Sequence, residues 1–231
     1  MSVEQAAART RMRATSLADT QGEVEAPLRA SVYEELRRRL ITGKIAPGVA
    51  MSTRGIAQQL GVSQMPVRDA LSRLAAEGAV EIRTNRKIVV PTMTSERLDE
   101  VIRCRMMLEP NAAAMALPRL DAGIARQLRQ ADGRLNQALE SGGVNDYMEN
   151  NYAFHFLIYR ACGSTILTRL IEMLWLQFGP LMRVVYGRVG TVNLVDQHAL
   201  ALEAISRRDE AMLREAIRAD IADARALISA R

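Results

Sequence analysis

The feature that most constrains this chain is a pair of short apolar-periodic segments held together by one tight turn. In RGIAQQL (54–60) and QMPVRDALSRLAAEG (64–78) apolar side chains recur at helical spacing, and only Gly61, Val62 and Ser63 lie between them. Ser52 or Thr53 is placed to cap the first helix and Ser63 the second, while Pro66 falls in a first turn, where its missing N–H costs little. Val67, Ala70, Leu71 and Leu74 then face inward. Helix, glycine turn, helix is the spacing of a helix-turn-helix.

The flanking sequence extends this pair into a small module. Upstream, SVYEELRRRLITG sets Val32, Leu36, Leu40 and Ile41 on one helical face, with Ser31 available as N-cap and Gly43 as a stop. The turn IAPG follows, in which Pro47 fixes its own backbone and Gly48 admits conformations other residues resist. Downstream, AVEIRTNRKIVVP reads as two strands, Val80 to Arg83 and Lys87 to Val90, joined around Thr84, Asn85 and Arg86. Three helices and a hairpin with a cationic tip make a winged helix-turn-helix, in which one helix enters the major groove while the wing and the helix caps meet phosphates.

Charge agrees with that arrangement. Residues 28–92 carry eleven basic and five acidic side chains, a net +6, whereas residues 93–231 carry seventeen of each, so the positive excess of the chain resides in the first module. A polyanion is the partner such a distribution suits, although a solvated basic face with no partner has the same charge. Residues 1–27 hold Arg9, Arg11 and Arg13 but also Glu4, Asp19, Glu23 and Glu25, which reads as a disordered leader rather than a transit peptide. Cys104 and Cys162 are too few for a disulfide framework, and no apolar run is long enough for a bilayer, so a reducing cytoplasm is the expected compartment, with no membrane partner.

Over residues 30–92 the chain resembles the GntR family of bacterial regulators, through YEELRRRLITGKIAPGVAMSTRGIAQQLGVSQMPVRDALSRLAAEGAVEI. The resemblance implies that Arg54, Gln64 and Arg68 touch double-stranded operator DNA. On position alone, Arg54 and Arg68 also read as ordinary surface arginines. Gln64 stands where members commonly hold Arg, which puts an adenine contact in place of a guanine contact. Lys87 stands where many members hold Gly, and Arg86 and Lys87 are expected at phosphates or the minor groove, with the capping residues Thr53 and Ser63 near the backbone.

From Thr94 onward strand signals almost vanish. Helical periodicity is broken near Pro118, Gly142, Gly163, Gly179 and Gly190, which predicts an all-helical bundle of six or seven helices over residues 93–231. Both histidines lie here. Asn151 and His155 are one turn apart, His198 lies near the start of a later helix, and Asp220 lies on the last. Together they have the composition of a first shell for Zn²⁺, Ni²⁺, Mn²⁺ or Fe²⁺; histidines packed among apolar neighbours are the plainer reading. Arg105 suits a carboxylate ligand or a pairing with Glu109 within its own helix, and Trp175, Phe178, Met173 and Met182 suit either a pocket wall or ordinary core.

Over residues 94–228 a second resemblance is to the FCD ligand-binding domain of the FadR-like subfamily, carried by RCRMMLEPNAAAMA, NYAFHFLIYRACGS and QHALALEAISRRD. It implies a metal held by Asn151, His155, His198 and Asp220, the last replacing a histidine, and an effector met by Arg105. The function expected is a ligand-responsive regulator, in sense a repressor, acting as a homodimer on a near-palindromic operator and sensing a small organic acid. A small metalloenzyme built on two histidines and one carboxylate is the alternative from another class, but no general base, nucleophile or cofactor loop accompanies those residues.

Overall fold

A computed structural model describes residues 29–83, 87–188 and 195–229. Contacts divide the chain in two. One unit takes residues up to 38 together with 50–88, and the other takes 39–49 together with 89 onward. A single cut at 92/93 was expected. Instead the end of the first helix and the turn after it group with the second unit, because Gly43, Lys44 and Ile41 find their partners there. The expected leader, 1–27, lies outside the described residues.

In the first unit, α1 covers residues 29–41 and is followed by β1 (Ala50–Met51), α2 (Thr53–Leu60), α3 (Gln64–Ala76), β2 (Glu81–Ile82) and β3 (Ile88–Val89). Ser31 is not a cap: Arg29 and Ala30 are good helix formers, and the helix is already running before it. The tight turn behaves as its sequence requires, with Gly61 left-handed at φ 66° closing α2. Val67, Ala70, Leu71 and Leu74 are buried against Val32, Leu36 and Ile56 in one core. Tyr33 spans that core from α1, its hydroxyl donating to Glu77 at 2.7 Å, with the Arg73 guanidinium 3.7 Å over its ring. Burial first, then Glu77, pushes the Tyr33 hydroxyl up to about 12. The hairpin pairs through Arg83 N donating to Lys87 O at 2.9 Å. A two-residue strand, β1, was not expected from the sequence; it joins the sheet in the order β1-β3-β2, and two residues give no period to read.

The second unit contains seven α-helices among the described residues: α4 (Ser95–Ala116), α5 (Ala122–Ser141), α6 (Val144–Arg160), α7 (Thr165–Phe178), α8 (Met182–Arg188), α9 (Gln197–Arg207) and α10 (Glu210–Ser229). Their starts are set by side-chain caps at Thr94, Asp121, Ser164 and Asp196, and the breaks fall at Pro118, Gly142, Gly163 and Gly179 as read from the sequence. Helix α10 packs on α4 and α9, α5 on α6, and α4 on α7. The core is aromatic, with Phe154, Phe156, Tyr159, Trp175 and Phe178 each at most 1 % exposed. No described helix is long and apolar enough to cross a membrane.

Residues 39–49 are fastened to this bundle at three points. Arg183 Nε donates to Gly43 O at 2.8 Å and its Nη2 to Asn145 Oδ1 at 2.8 Å, and Lys44 pairs with Glu149 at 2.8 Å. Two glycines permit the approach. Gly43 is left-handed at φ 64°, and a Cβ on Gly179 would lie 2.6 Å from Ile41 Cα. Gly179→Ala is therefore expected to destabilise the protein by about 1–3 kcal/mol, since backbone rather than a side-chain tip must yield; the shift in chemical-denaturation midpoint measures it, and an unchanged midpoint would mean that this approach is not tight in solution.

Candidate functional site

The residues expected to meet DNA gather at the starts of α2 and α3. Ser52 is the N-cap of α2, accepting from Gly55 N at 3.1 Å, so Thr53 is the first helical residue, half-buried, and Arg54 follows exposed. Ser63 holds the N-cap position of α3 in extended backbone, but its exposed hydroxyl makes no capping bond. Gln64 and Arg68, four apart, share one exposed face of α3. Among the described residues neither Arg54 nor Arg68 has an ion-pair or hydrogen-bond partner, whereas Arg29 pairs with Asp69 at 3.3 Å and Arg73 covers Tyr33. The fold consumes some of the basic residues and leaves these two. Lys87 is exposed next to β3, and Arg86 lies outside the described residues. Met65, which sequence reasoning did not single out, is 60 % exposed beside Gln64; an apolar residue at an outward position of this helix was the available signal.

In the second unit three helices converge on a buried carboxylate. Glu109 of α4, fully buried, accepts four hydrogen bonds: Arg105 Nε at 2.5 Å and Nη2 at 3.2 Å, Tyr159 Oη at 2.7 Å and Trp175 Nε1 at 3.1 Å. Arg105 is 2 % exposed, with its guanidinium carbon 4.4 Å from the Phe178 ring centre and 4.8 Å from that of Trp175. Desolvation would lower its pKa, but Glu109 outweighs that and raises it. Nε and Nη2 are spent on Glu109, and Nη1 is left without a partner.

Tyr159 carries the network to His155. Its single hydroxyl hydrogen goes to Glu109, so it accepts from His155 Nδ1, 3.1 Å away, and that contact assigns the ring hydrogen to Nδ1. Nε2 of His155 is then a bare acceptor, 3.2 Å from His198 Nε2 and 3.3 Å from Asp220 Oδ2. Burial lowers the His155 pKa and Asp220 opposes this incompletely, so the ring is neutral. His198 is stacked on Phe154 at 4.1 Å, with Nδ1 3.6 Å from Asp132 Oδ1 and Nε2 3.2 Å from His155 Nε2.

The ligating atoms of His155, His198 and Asp220 all lie within 4.8 Å of one another. Separations of 3.2 and 3.3 Å suit two ligands of one tetrahedral ion with bonds of about 2.0–2.2 Å. Asp132 Oδ1, buried and without a hydrogen bond, stands where a carboxylate orients a ligating imidazole through its far nitrogen. The donor set fits a divalent ion.

A cavity of about 250 Å³ opens beside this cluster. Asn151, His198 and Asp220 line it, with Arg105, Trp175, Phe178 and Met182 forming another part of the wall. Arg105 pairs with Glu109, one of the two readings of its sequence position, and also lines the cavity. Met173 is 37 % exposed and does not line the cavity, because its position on α7 turns it away from the face that carries Trp175 and Phe178. Tyr159, Asp132 and the hub role of Glu109 were missed. For Tyr159 a signal existed: Tyr147, Asn151, His155 and Tyr159 recur every fourth residue, a hydrogen-bonding stripe along one face of α6. Asp132 has no such local mark.

Comparison with known proteins finds two families along the chain. Residues 28–90 match the family described as bacterial regulatory proteins, gntR family, and residues 100–223 match the FCD domain. The chain is 31 % identical over 186 residues to the HTH-type transcriptional regulator McbR of Escherichia coli K12, covering 79 % of this chain and 84 % of that one. It is 26 % identical over 192 residues to the HTH-type transcriptional repressor RspR of the same strain, covering 83 % and 84 %. The solved structure of E. coli McbR/YncC superposes with a TM-score of 0.75 at 30 % identity, covering 84 % of this chain and 92 % of that one.

Removing the Tyr159 hydroxyl deprives Glu109 of one donor and His155 of its anchor. Tyr159→Phe is expected to cost about 1–3 kcal/mol in chemical denaturation with helical circular dichroism retained; stability within a few tenths of wild type would mean that the network is not formed as described.

Proposed function

This chain belongs to the GntR family of bacterial regulatory proteins, with an FCD domain following its winged helix, and from that premise we propose that it is a metal-assisted sensor of a small organic acid that represses transcription as a dimer on a near-palindromic operator. Its role as a DNA-binding transcriptional regulator follows from the family; the metal, acid, dimer and operator symmetry are our reading. The relatives named above are called regulators or repressors, so the cluster of two histidines and a carboxylate is read as a binding site and not as the reaction centre of an enzyme.

The observation that carries the reading is the convergence of three acceptor atoms, from His155, His198 and Asp220, beside a cavity that His198, Asp220 and Arg105 line. A divalent ion held there, with Asn151 as a further oxygen donor, would supply a Lewis-acidic point for one carboxylate oxygen. Arg105 supports the same ligand class, because its unpartnered Nη1 lacks an acceptor and a carboxylate supplies one. Ligand control requires different affinity for DNA-competent and incompetent states. A route is available: Phe178 lies in the cavity wall against Arg105, and the next residue, Gly179, is the one on which Ile41 packs. Residues 39–49 are joined by the chain at both ends to the unit bearing α2 and α3.

On the DNA side, Gln64 and Arg68 are read as base-contacting, Arg54 and Lys87 as phosphate-contacting with Thr53 and Ser63 beside them, and Met65 as an apolar surface for a thymine methyl.

The test is capture of genomic fragments by the full-length protein at stated salt, with and without organic acids. One enriched near-palindromic fragment released by an acid is the expected result; enrichment that no acid alters would remove the sensor and leave a constitutive DNA binder. Arg68→Ala should weaken binding to that fragment by about 1–3 kcal/mol, and unchanged affinity would take Arg68 out of the interface. His155→Ala should lose bound metal by elemental analysis while keeping acid-free DNA affinity, and retained metal would overturn the assigned ligands.

A further inference from the structure

The cavity is unevenly charged, and that asymmetry restricts which acids it can hold. Among the described lining residues the carboxylates are Asp196, Asp220 and Asp223, against one cation, Arg105. That cation is already balanced by Glu109 through two hydrogen bonds. What remains of it is directional rather than net charge: Nη1 lacks a partner inside a side chain only 2 % exposed, so one acceptor atom is missing from the wall at that point. Asp220 is committed to the histidine cluster. Asp196 caps α9, accepting from Ala199 N at 2.9 Å, and Asp223 accepts from Gln197 Nε2 at 3.0 Å. Each of those bonds uses one carboxylate lone pair and leaves others toward the cavity, and Asp223 is only partly exposed to water that could screen it.

One carboxylate can be satisfied here, by Arg105 Nη1 and the ion proposed for the cluster. Among the described lining residues a second has no cation left to meet and would face the half-buried Asp223 instead, with Asp196 more exposed to water. A far end that donates hydrogen bonds meets acceptors there.

We propose that the cavity selects monocarboxylates whose far end is an ammonium or hydroxyl group over dicarboxylates of the same length, and that Asp223 makes the distinction. This rests on the acid-sensing reading above and narrows it. The selectivity is chiefly repulsive: like charges brought together in a partly dry site disfavour the wrong ligand more than the added donor favours the right one.

Calorimetric titration of the full-length, Zn²⁺-saturated protein with two matched series tests this. The four-carbon series is 4-aminobutyrate, 4-hydroxybutyrate and succinate; the six-carbon series is 6-aminohexanoate, 6-hydroxyhexanoate and adipate. In at least one series the amino or hydroxy acid is expected to bind tenfold or more tightly than the dicarboxylate, and Asp223→Asn, which keeps an acceptor for Gln197, should shrink that ratio to threefold or less. Dicarboxylates binding equally or better, or a ratio that Asp223→Asn leaves intact, overturns the selectivity while the acid sensor stands. Binding by none of the six, with 1,4-diaminobutane bound instead, overturns the acid-sensing reading and this inference with it.

Discussion

The helical unit depends on one buried charge. Glu109 has no contact with water, and an unpaired carboxylate in that position would be prohibitively costly. Four donors from three helices satisfy it, and each is thereby fixed in orientation: Arg105 on α4, Tyr159 on α6 and Trp175 on α7. The consequences run outward from there. Tyr159, having given its hydrogen to Glu109, dictates the tautomer of His155. His155 then turns a lone pair toward His198 and Asp220. Arg105, having given two of its nitrogens, leaves Nη1 without a partner. Packing, protonation and binding chemistry in this unit are therefore one network, and its value lies in specifying positions more than in net stabilisation.

The DNA-binding unit divides its charges by a related logic. Arg29 and Arg73 are engaged with Asp69 and Tyr33 between α1 and α3, and Arg37 and Arg38 with Glu34 and Glu35 within α1. Arg54 and Arg68 have no partner among the described residues, and both lie at the helix starts expected to meet the phosphate backbone or base edges. A polyanion supplies the missing charge without disturbing the internal pairs, which is why a positive excess confined to this unit is compatible with a stable fold.

Much of this was legible in the chain. The glycine turn at Gly61, the inward face of Val67 to Leu74 and the helix breaks at Gly142 and Gly179 are local signals, and local signals survive into structure. Ser31 failed as a cap because Arg29 and Ala30 favour helix just as well, so nothing stops the helix there. The strand Ala50–Met51 exists only by pairing with Ile88–Val89 and has no pattern of its own. Residues 39–49 joined the helical unit through Arg183 and Glu149, partners more than one hundred residues away, which no periodicity encodes. For the site, His155, His198 and Asp220 were gathered from family resemblance, and the coordinates bring them within 4.8 Å. What could not be read was the second layer: Asp132 behind His198, and the chain from Glu109 to His155, which arise from helix packing rather than from spacing along any one helix.

The metal proposed for His155, His198 and Asp220 is open to direct measurement. The most direct measurement is X-ray absorption at the edge of the metal retained by the full-length protein, or of Zn²⁺ supplied at one equivalent. The account predicts a first shell of nitrogen and oxygen at about 2.0–2.2 Å with the multiple-scattering signature of two imidazoles. A shell of oxygen alone, or failure to retain stoichiometric Zn²⁺, would contradict it.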